Sequence, residues 1–190
     1  MTGVILFRAQ PFHNGHLAQI KRAFEDMRKL DGHLYIIVGS ADKSGTKRNP
    51  IPIDVRLDLI QHTLEEEFSY KQRQYLHVVP LKDLSDEANN TWSWGAYLYD
   101  NLKQITEDTD FVFYYSDKSE IALSWFDPEG ARQHIYFKFL NRVGGVNATI
   151  VRDHLRFVDS YHHASELKNL LPDYVYRKTN ELHEYIVSAR

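Results

Sequence analysis

The sequence predicts an α/β protein: an open, doubly wound parallel sheet, helices on both faces, and a helical C-terminal part from about 146 to 190. Short apolar runs alternate with longer stretches of helical period in the order β-α-β-α-β-α-β, which is a series of parallel crossovers. The runs are apolar throughout rather than alternating, as strands covered on both faces are. The 190 residues, 43% hydrophobic and 26% charged, suit one globular domain spanning 1–190.

Each element has its own signal. Gly3 to Phe7 reads as a buried strand. Leu17, Ile20, Phe24, Met27 and Leu30 then recur at steps of three and four, predicting a helix that Asp31-Gly32 stops. Leu34 to Val38 is the second strand, and Gly39 to Pro50 is a loop. Leu57, Ile60, Leu64 and Phe68 mark a second helix, capped at Asp54 or just before. Tyr75 to Val79 is the third strand. Trp94, Leu98, Asn101 or Leu102, and Ile105 mark a third helix, and Phe111 to Tyr115 a fourth strand. Ile135 to Phe139 is a candidate fifth strand, in a region (116–145) with no other clear pattern. Val151, Leu155 and Val158 suggest a short helix; Val175, Leu182 and Ile186 suggest a final one, entered through Pro172. In such a sheet the first strand lies centrally and ligands sit at the carboxyl ends of strands, near the switch point.

Composition excludes several classes. Lys and Arg number 23 against 26 Asp and Glu, so no general nucleic-acid or membrane-surface footprint is expected. There is no cysteine, which removes disulfides, zinc-thiolate sites, iron–sulfur clusters and a thiol nucleophile. MTGVILFRAQPF has no basic lead and no small-residue cleavage site, and no apolar run approaches the ~20 residues of a membrane helix; a cytoplasmic protein is expected. The sequence has no G-x-G-x-x-G and no G-x-S-x-G, and the glycine spacing from Gly39 to Lys47 is one residue too long for a P-loop.

Arg8-Ala9-Gln10-Pro11-Phe12-His13-Asn14-Gly15-His16 stands between the first strand and the first helix. At a helix mouth, two histidines three apart can aim at one point. The helix N-terminus offers free N–H groups and the positive dipole end, and Gly15 lets a ligand approach the backbone. Together these suit a polyphosphate. The bland alternatives are surface histidines or a weak metal pair, for which a third ligand is lacking.

Gln-Pro-Phe-His-Asn-Gly-His resembles the His-x-Gly-His signature of the nucleotidylyltransferase superfamily. The longer string from Arg8 is most similar to the archaeal-type nicotinamide-mononucleotide adenylyltransferases, a type that also forms the N-terminal domain of some bacterial two-domain enzymes. Three further stretches agree in order: Gly39-Ser40-Ala41 with Asn49-Pro50 and Arg56; Asp83 with Asn89-Asn90-Thr91-Trp92; and Asn147-Ala148-Thr149-Ile150-Val151-Arg152, similar to Ile-Ser-Ser-Thr-x-Ile-Arg. The departures are Phe7-Arg8-Ala9 for Gly-Arg-Phe, Asn147 and Ala148 for the serines, Ile51-Pro52 for Phe-Thr, and Val55 for Glu.

The resemblance implies a Rossmann-like nucleotidylyltransferase fold and transfer of AMP from ATP to the 5′-phosphate of nicotinamide mononucleotide, with pyrophosphate as co-product. It implies that His13, His16 and Arg152 stabilise charge on the transferring and departing phosphates. Arg8, Gln10, Pro11, Asn14, Gly15 and Thr149 fall in the ATP-binding motifs; Arg8 holds either the acceptor phosphate or the β/γ-phosphates. Ser40, Asn49, Arg56, Asp83, Asn90 and Trp92 fall on the acceptor side, with Trp92 the choice to stack on the base, Trp94 the choice for the core, and Asp83 or Asn90 facing the carboxamide. Lys43, Lys47 and Arg48 either close over the polyphosphate or merely solubilise their loop. Magnesium is expected with ATP, held by phosphates and water and by no dedicated protein ligands. A closed homo-oligomer is expected. Competing readings are another acceptor (nicotinate mononucleotide, pantetheine phosphate, or a CTP-dependent alcohol phosphate) and an inactive nucleotide-binding regulator. The seven histidines at 62, 77, 134, 154, 162, 163 and 183 read as structural or surface residues, and Glu65-Glu66-Glu67 as a solvated face.

Overall fold

The computed structural model describes residues 1–84, 92–141 and 145–190, with backbone alone at 117–120. Five strands form one sheet: β1 (Thr2–Phe7), β2 (His33–Val38), β3 (Leu76–Pro80), β4 (Phe111–Tyr115) and β5 (Ile135–Phe139). Their order is β3-β2-β1-β4-β5, and every neighbouring pair is parallel. The chain steps outward from β1 to β3, then crosses back over β1 to β4. The switch point is therefore the β1/β4 boundary, as the sequence pattern predicts.

The central strands β1, β2 and β4 are buried on both faces, with alternate side chains entering opposite cores. Ile5, Ile36, Val112 and Tyr114 enter one core, with α1 (Asn14–Lys29), α2 (Ile53–Glu67) and the C-terminal helices. Val4, Ile37, Phe111 and Phe113 enter the other, with Trp94, Leu98 and Leu102 of α4 (Trp92–Ile105). Period 2 on both faces yields the continuous apolar runs seen in the sequence. Across β4 and β5 the buried Tyr114 hydroxyl donates to Asp26 Oδ2 (2.6 Å), and Lys138 Nζ donates to both oxygens of that carboxylate. Burial first, and then Asp26, push the Tyr114 phenol far above its ordinary range.

The structure corrects several expectations. Leu30 is the C-cap of α1 and is 52% exposed, so the apolar face ends at Met27. Asp31 does stop the helix, with φ +50, and Gly32 follows where a Cβ would stand 2.4 Å from Met1 O. The expected final helix is two: α7 (Asp173–Arg177) and α8 (Thr179–Ser188). Lys178, at φ −99 and ψ 10, caps one and opens the other, its N–H turned to the carbonyls of Val175 and Tyr176. Between α5 (Ala148–Leu155) and α7 lies α6 (Tyr161–Leu170), which has no sequence signal because only Leu167 is buried along it. A one-turn α3 (Tyr70–Arg73) carries the capping box of Ser69 and Gln72. Residues 116–145 hold two 3₁₀ segments, Asp117–Ser124 and Ala131–His134, besides β5. The Glu65-Glu66-Glu67 run is an exposed face, as expected, and pairs in turn with Arg73, Arg177 and Lys21. No helix among the described residues is long and apolar enough to cross a membrane.

Candidate active site

A cleft of about 340 Å³ opens at the carboxyl ends of β1 and β4. The loop from β1 forms its floor, the start of α1 one wall, and the start of α5 another. His13 is the N-cap of α1, extended at φ −150 and ψ 169, and its Nδ1 accepts from Gly15 N–H at 3.1 Å. With Nδ1 accepting, neutral His13 carries its proton on Nε2. His16, one turn on, stacks on the His13 ring (3.7 Å between centroids) and on Phe7 (4.4 Å). The three-residue spacing thus brings both imidazoles together against apolar rings at the positive end of a 16-residue helix. Gly15 fits tightly beneath them, since a Cβ would come within 2.9 Å of Val146 Cγ1 and 3.0 Å of the His13 ring.

The cations come from three different segments. Arg8, Arg48 and Arg152 all line the cleft, and no carboxylate does so among the described residues. Arg8 is held below the ordinary guanidinium range, by burial first and then by Arg48; Asp83 opposes this. Arg152 Nη1 donates to Gln10 O (2.7 Å) and Nη2 reaches Thr149 Oγ1 (3.3 Å). It too is lowered, by burial and then by Arg156. Positive charges gathered in one cleft suit an anionic ligand.

Several other expected site residues have their polar atoms bonded to backbone. Gln10 spends both ends of its amide on Ile51, accepting from its N–H (2.9 Å) and donating to its carbonyl (3.1 Å). Pro11 is buried, and Asn14 Nδ2 donates to Asn169 O, fastening α1 to α6. Arg56 is 0% exposed: Nη1 donates to Arg8 O and Gly39 O, both at 2.8 Å, and Nη2 to Ser40 O at 2.9 Å. Burial, the largest cause, brings its pKa down to about 10. Arg56 thereby ties the loops after β1 and β2. At α5, Asn147 Oδ1 accepts from Thr149 N–H and Ile150 N–H, so Asn147 caps where the resembled motif has serine.

On the β2/β3 side Ser40, at φ +51, donates from Oγ to Asp83 Oδ1 (3.1 Å), and Asp83 N–H donates to Asp42 Oδ1 (2.9 Å). That backbone bond, above all, holds the Asp42 carboxyl below its ordinary range. Asn49 is buried, and its Oδ1 has no hydrogen-bond partner among the described residues. Trp92 opens α4 and is 57% exposed, whereas Trp94 is 3% exposed and packs edge-on to Trp125 at 6.1 Å. Trp94 thus lies in the core, as expected. Asn90 lies outside the described residues. In the loop, Arg48 lines the cleft, Lys47 borders a neighbouring groove, and Lys43 pairs with Asp42 at 3.2 Å.

Two lining residues escape the sequence reading. Gln19 sits one turn beyond His16, where helical spacing alone would have found it. Ser116 follows β4, the strand beside β1, and is legible only once the sheet order is known. No three His, Asp or Glu side chains among the described residues converge as metal ligands.

A family model described as cytidylyltransferase-like matches residues 8–153. The chain is 36% identical over 114 residues to a nicotinamide-nucleotide adenylyltransferase of Methanococcus aeolicus, covering 60% of this chain and 56% of that one. It is 28% identical over 113 residues to the same-named protein of Thermococcus sibiricus, covering 60% and 53%. The chain spans about half the length of the curated relatives it matches. Among solved structures, a bifunctional NMN adenylyltransferase/ADP ribose pyrophosphatase from Francisella tularensis superposes with TM-score 0.73 at 16% identity, over 98% of this chain and 52% of that one. The Plasmodium falciparum nicotinic acid mononucleotide adenylyltransferase complexed with NaAD superposes at TM-score 0.62 and 10% identity, over 97% of each. These two establish the shared fold.

Proposed function

The chain belongs to the cytidylyltransferase-like family, and from that premise we propose that it transfers AMP from ATP to the 5′-phosphate of nicotinamide mononucleotide. An acceptor phosphate oxygen attacks the α-phosphorus, the bond to the β-phosphate oxygen breaks, and pyrophosphate leaves with that electron pair. The acceptor is already an anion, so neither a strong base nor a covalent nucleophile is required. What the reaction needs is alignment and cations around a charge that grows on the α-phosphate.

One observation carries the reading: His13, His16 and three arginines from three segments line a single cleft at the switch point, with no carboxylate among its described lining residues. We assign the imidazoles to the transferring phosphate, Arg8 and Arg48 to the acceptor phosphate or the polyphosphate, and Arg152 with Thr149 to the departing pyrophosphate. Gln10 and Arg56 act as positioning residues, because their polar atoms are used on backbone. A magnesium ion accompanying ATP would neutralise β/γ charge, held mostly by phosphates and water.

For the acceptor, Asp42 and Asp83 are adjacent beside Ser40. A carboxylate-lined edge accepts from the NH₂ of a carboxamide and repels a nicotinate carboxylate, which favours the nicotinamide nucleotide. Exposed Trp92 offers an indole face to a cationic ring, and the orphaned Asn49 Oδ1 offers an acceptor. A cytoplasmic, closed homo-oligomer completes the proposal.

The test is pyrophosphate release with ATP, magnesium and nicotinamide mononucleotide, beside His16→Ala. Release cut by roughly 10²-fold or more in the variant supports the reaction and the histidine's role. Release only with a different acceptor moves the specificity. Tight ATP binding without release from any acceptor supports the regulator reading.

A further inference from the structure

Three histidines gather outside the cleft, where α5 meets α6. His154 of α5 and His163 of α6 face each other with their Nδ1 atoms 2.9 Å apart and their rings inclined at 62°. Exposed His162 stands beside them, its ring centroid 5.4 Å from that of His163 and 6.4 Å from that of His154. A hydrogen bond between two neutral imidazoles uses one Nδ1–H and one bare Nδ1. A divalent ion replaces that shared proton and takes both lone pairs. Imidazole nitrogens about 2.0–2.1 Å from one ion lie about 2.9 Å apart at a right angle and about 3.3 Å apart at the tetrahedral angle, so the pair already stands at ligand spacing. Each ring then has to turn until both lone pairs meet off the N···N line. Both histidines are only half-buried, which leaves a path for an ion and its water. A second pair lacks this freedom. His33 Nδ1 and His77 Nε2 are 2.8 Å apart across β2 and β3, but their rings lie within 27° of parallel. They are stacked with Tyr75 (5.1 Å) and Tyr35 (4.5 Å), and turning either ring would break that stack.

We propose that His154 and His163 form a transition-metal site bridging α5 and α6, which takes a late first-row divalent ion (nickel, copper or zinc) with water completing its coordination. Imidazole suits these ions, whereas magnesium prefers oxygen, so the site is separate from any ion carried by ATP. The bridge joins two helices that both bear on the cleft: α5 carries Arg152, and α6 accepts from Asn14 of α1 at Asn169 O. A bound ion therefore ties the helix of Arg152 to the start of α1. The site stands independently of the adenylyl-transfer reading.

The experiment is calorimetric titration of the full chain with nickel and with zinc, in millimolar magnesium, for wild type, His154→Ala, His163→Ala, His162→Ala and His77→Ala. Melting temperature is measured on the same samples. Wild type should bind one equivalent of either ion, and His154→Ala and His163→Ala should each weaken binding by roughly 10-fold or more. At an ion concentration about 100 times Kd, the wild-type melting temperature should rise by roughly 5 °C or more, and by far less in those two variants. His77→Ala should titrate like wild type. A loss in His162→Ala that accompanies the losses in His154→Ala and His163→Ala adds a third ligand to the same site. A loss in His162→Ala with His154→Ala unaffected means that the adjacent pair on α6 chelates at the surface, and overturns the bridge. Equal affinity in wild type and His154→Ala overturns it too, as does failure of wild type to bind either ion at millimolar concentration. The metal-free melting curve shows whether each variant folds, and should an alanine variant melt low, His163→Gln repeats the test with a hydrogen-bonding side chain kept between the helices.

Discussion

A methyl group at Gly15 would meet Val146 Cγ1 at 2.9 Å and the His13 ring at 3.0 Å. The His13 ring is fixed by its bond to the Gly15 amide and by its stack on His16, so it cannot turn away at no cost. Gly15→Ala is therefore expected to move His13 by a few tenths of an ångström and to loosen the contact with Val146. Overpacking of this kind costs about 1–3 kcal/mol, and a displaced phosphate ligand costs up to about 10²-fold in rate. Thermal unfolding and pyrophosphate release on the same sample check it; normal turnover in a folded variant would remove His13 from the reacting phosphate. The same scale separates residues the motif presents together. His13, His16 and Gln10 all line the cleft, but Gln10 has both ends of its amide bonded to Ile51.

Between elements, the site is held by side chains that bond backbone from loops distant in sequence. Arg56 of α2 joins the loop after β1 to the loop after β2 through three carbonyls. Replacing it with methionine takes this donor from the Arg8 and Gly39 carbonyls, while Ser40 O keeps the N–H of Lys43 at 3.1 Å. At roughly 1–3 kcal/mol for each unsatisfied group, a loss of about 2 kcal/mol or more is expected in urea unfolding. A variant within 1 kcal/mol of wild type would mean that water replaces the guanidinium. Sequence could not announce this role, because Arg56 looks identical on paper whether it holds a ligand or a carbonyl. The strands were legible for the opposite reason: burial on both faces leaves unbroken runs such as Leu34–Val38 and Phe111–Tyr115. Helices were legible in proportion to their buried stripe. α1 buries Leu17, Ile20, Phe24 and Met27 and was readable, while α6 buries Leu167 alone and was not. The break at Lys178 was hidden because Val175, Leu182 and Ile186 keep one helical phase across it.

Over the whole molecule, carboxylates add polar clamps beside the cores. Asp26 receives Tyr114 and Lys138 between α1 and the β4/β5 edge, and Asp108 receives Thr2 and the N-terminal amine. Asp42 receives the Asp83 amide at the end of β3. All three titrate below the ordinary range: for Asp26 the Lys138 and Tyr114 bonds outweigh burial, the largest single influence; for Asp108 the Thr2 bond leads, and for Asp42 the Asp83 amide. A carboxylate whose folded pKa lies below its unfolded pKa stabilises the fold above the unfolded value, and that contribution is lost as pH falls through the folded one. With unfolded aspartates near about 3.9, stability from these groups is fully present at neutral pH and declines below about pH 4. Melting temperature should accordingly change little between pH 8 and 5 on their account and drop below 4. Asp26→Asn should lower it at pH 7 and flatten the acid decline, since asparagine keeps the shape and has no proton to take up. If Asp26→Asn loses stability at pH 7 with the wild-type acid slope, the clamp acts through packing around Tyr114 and its charge contributes nothing.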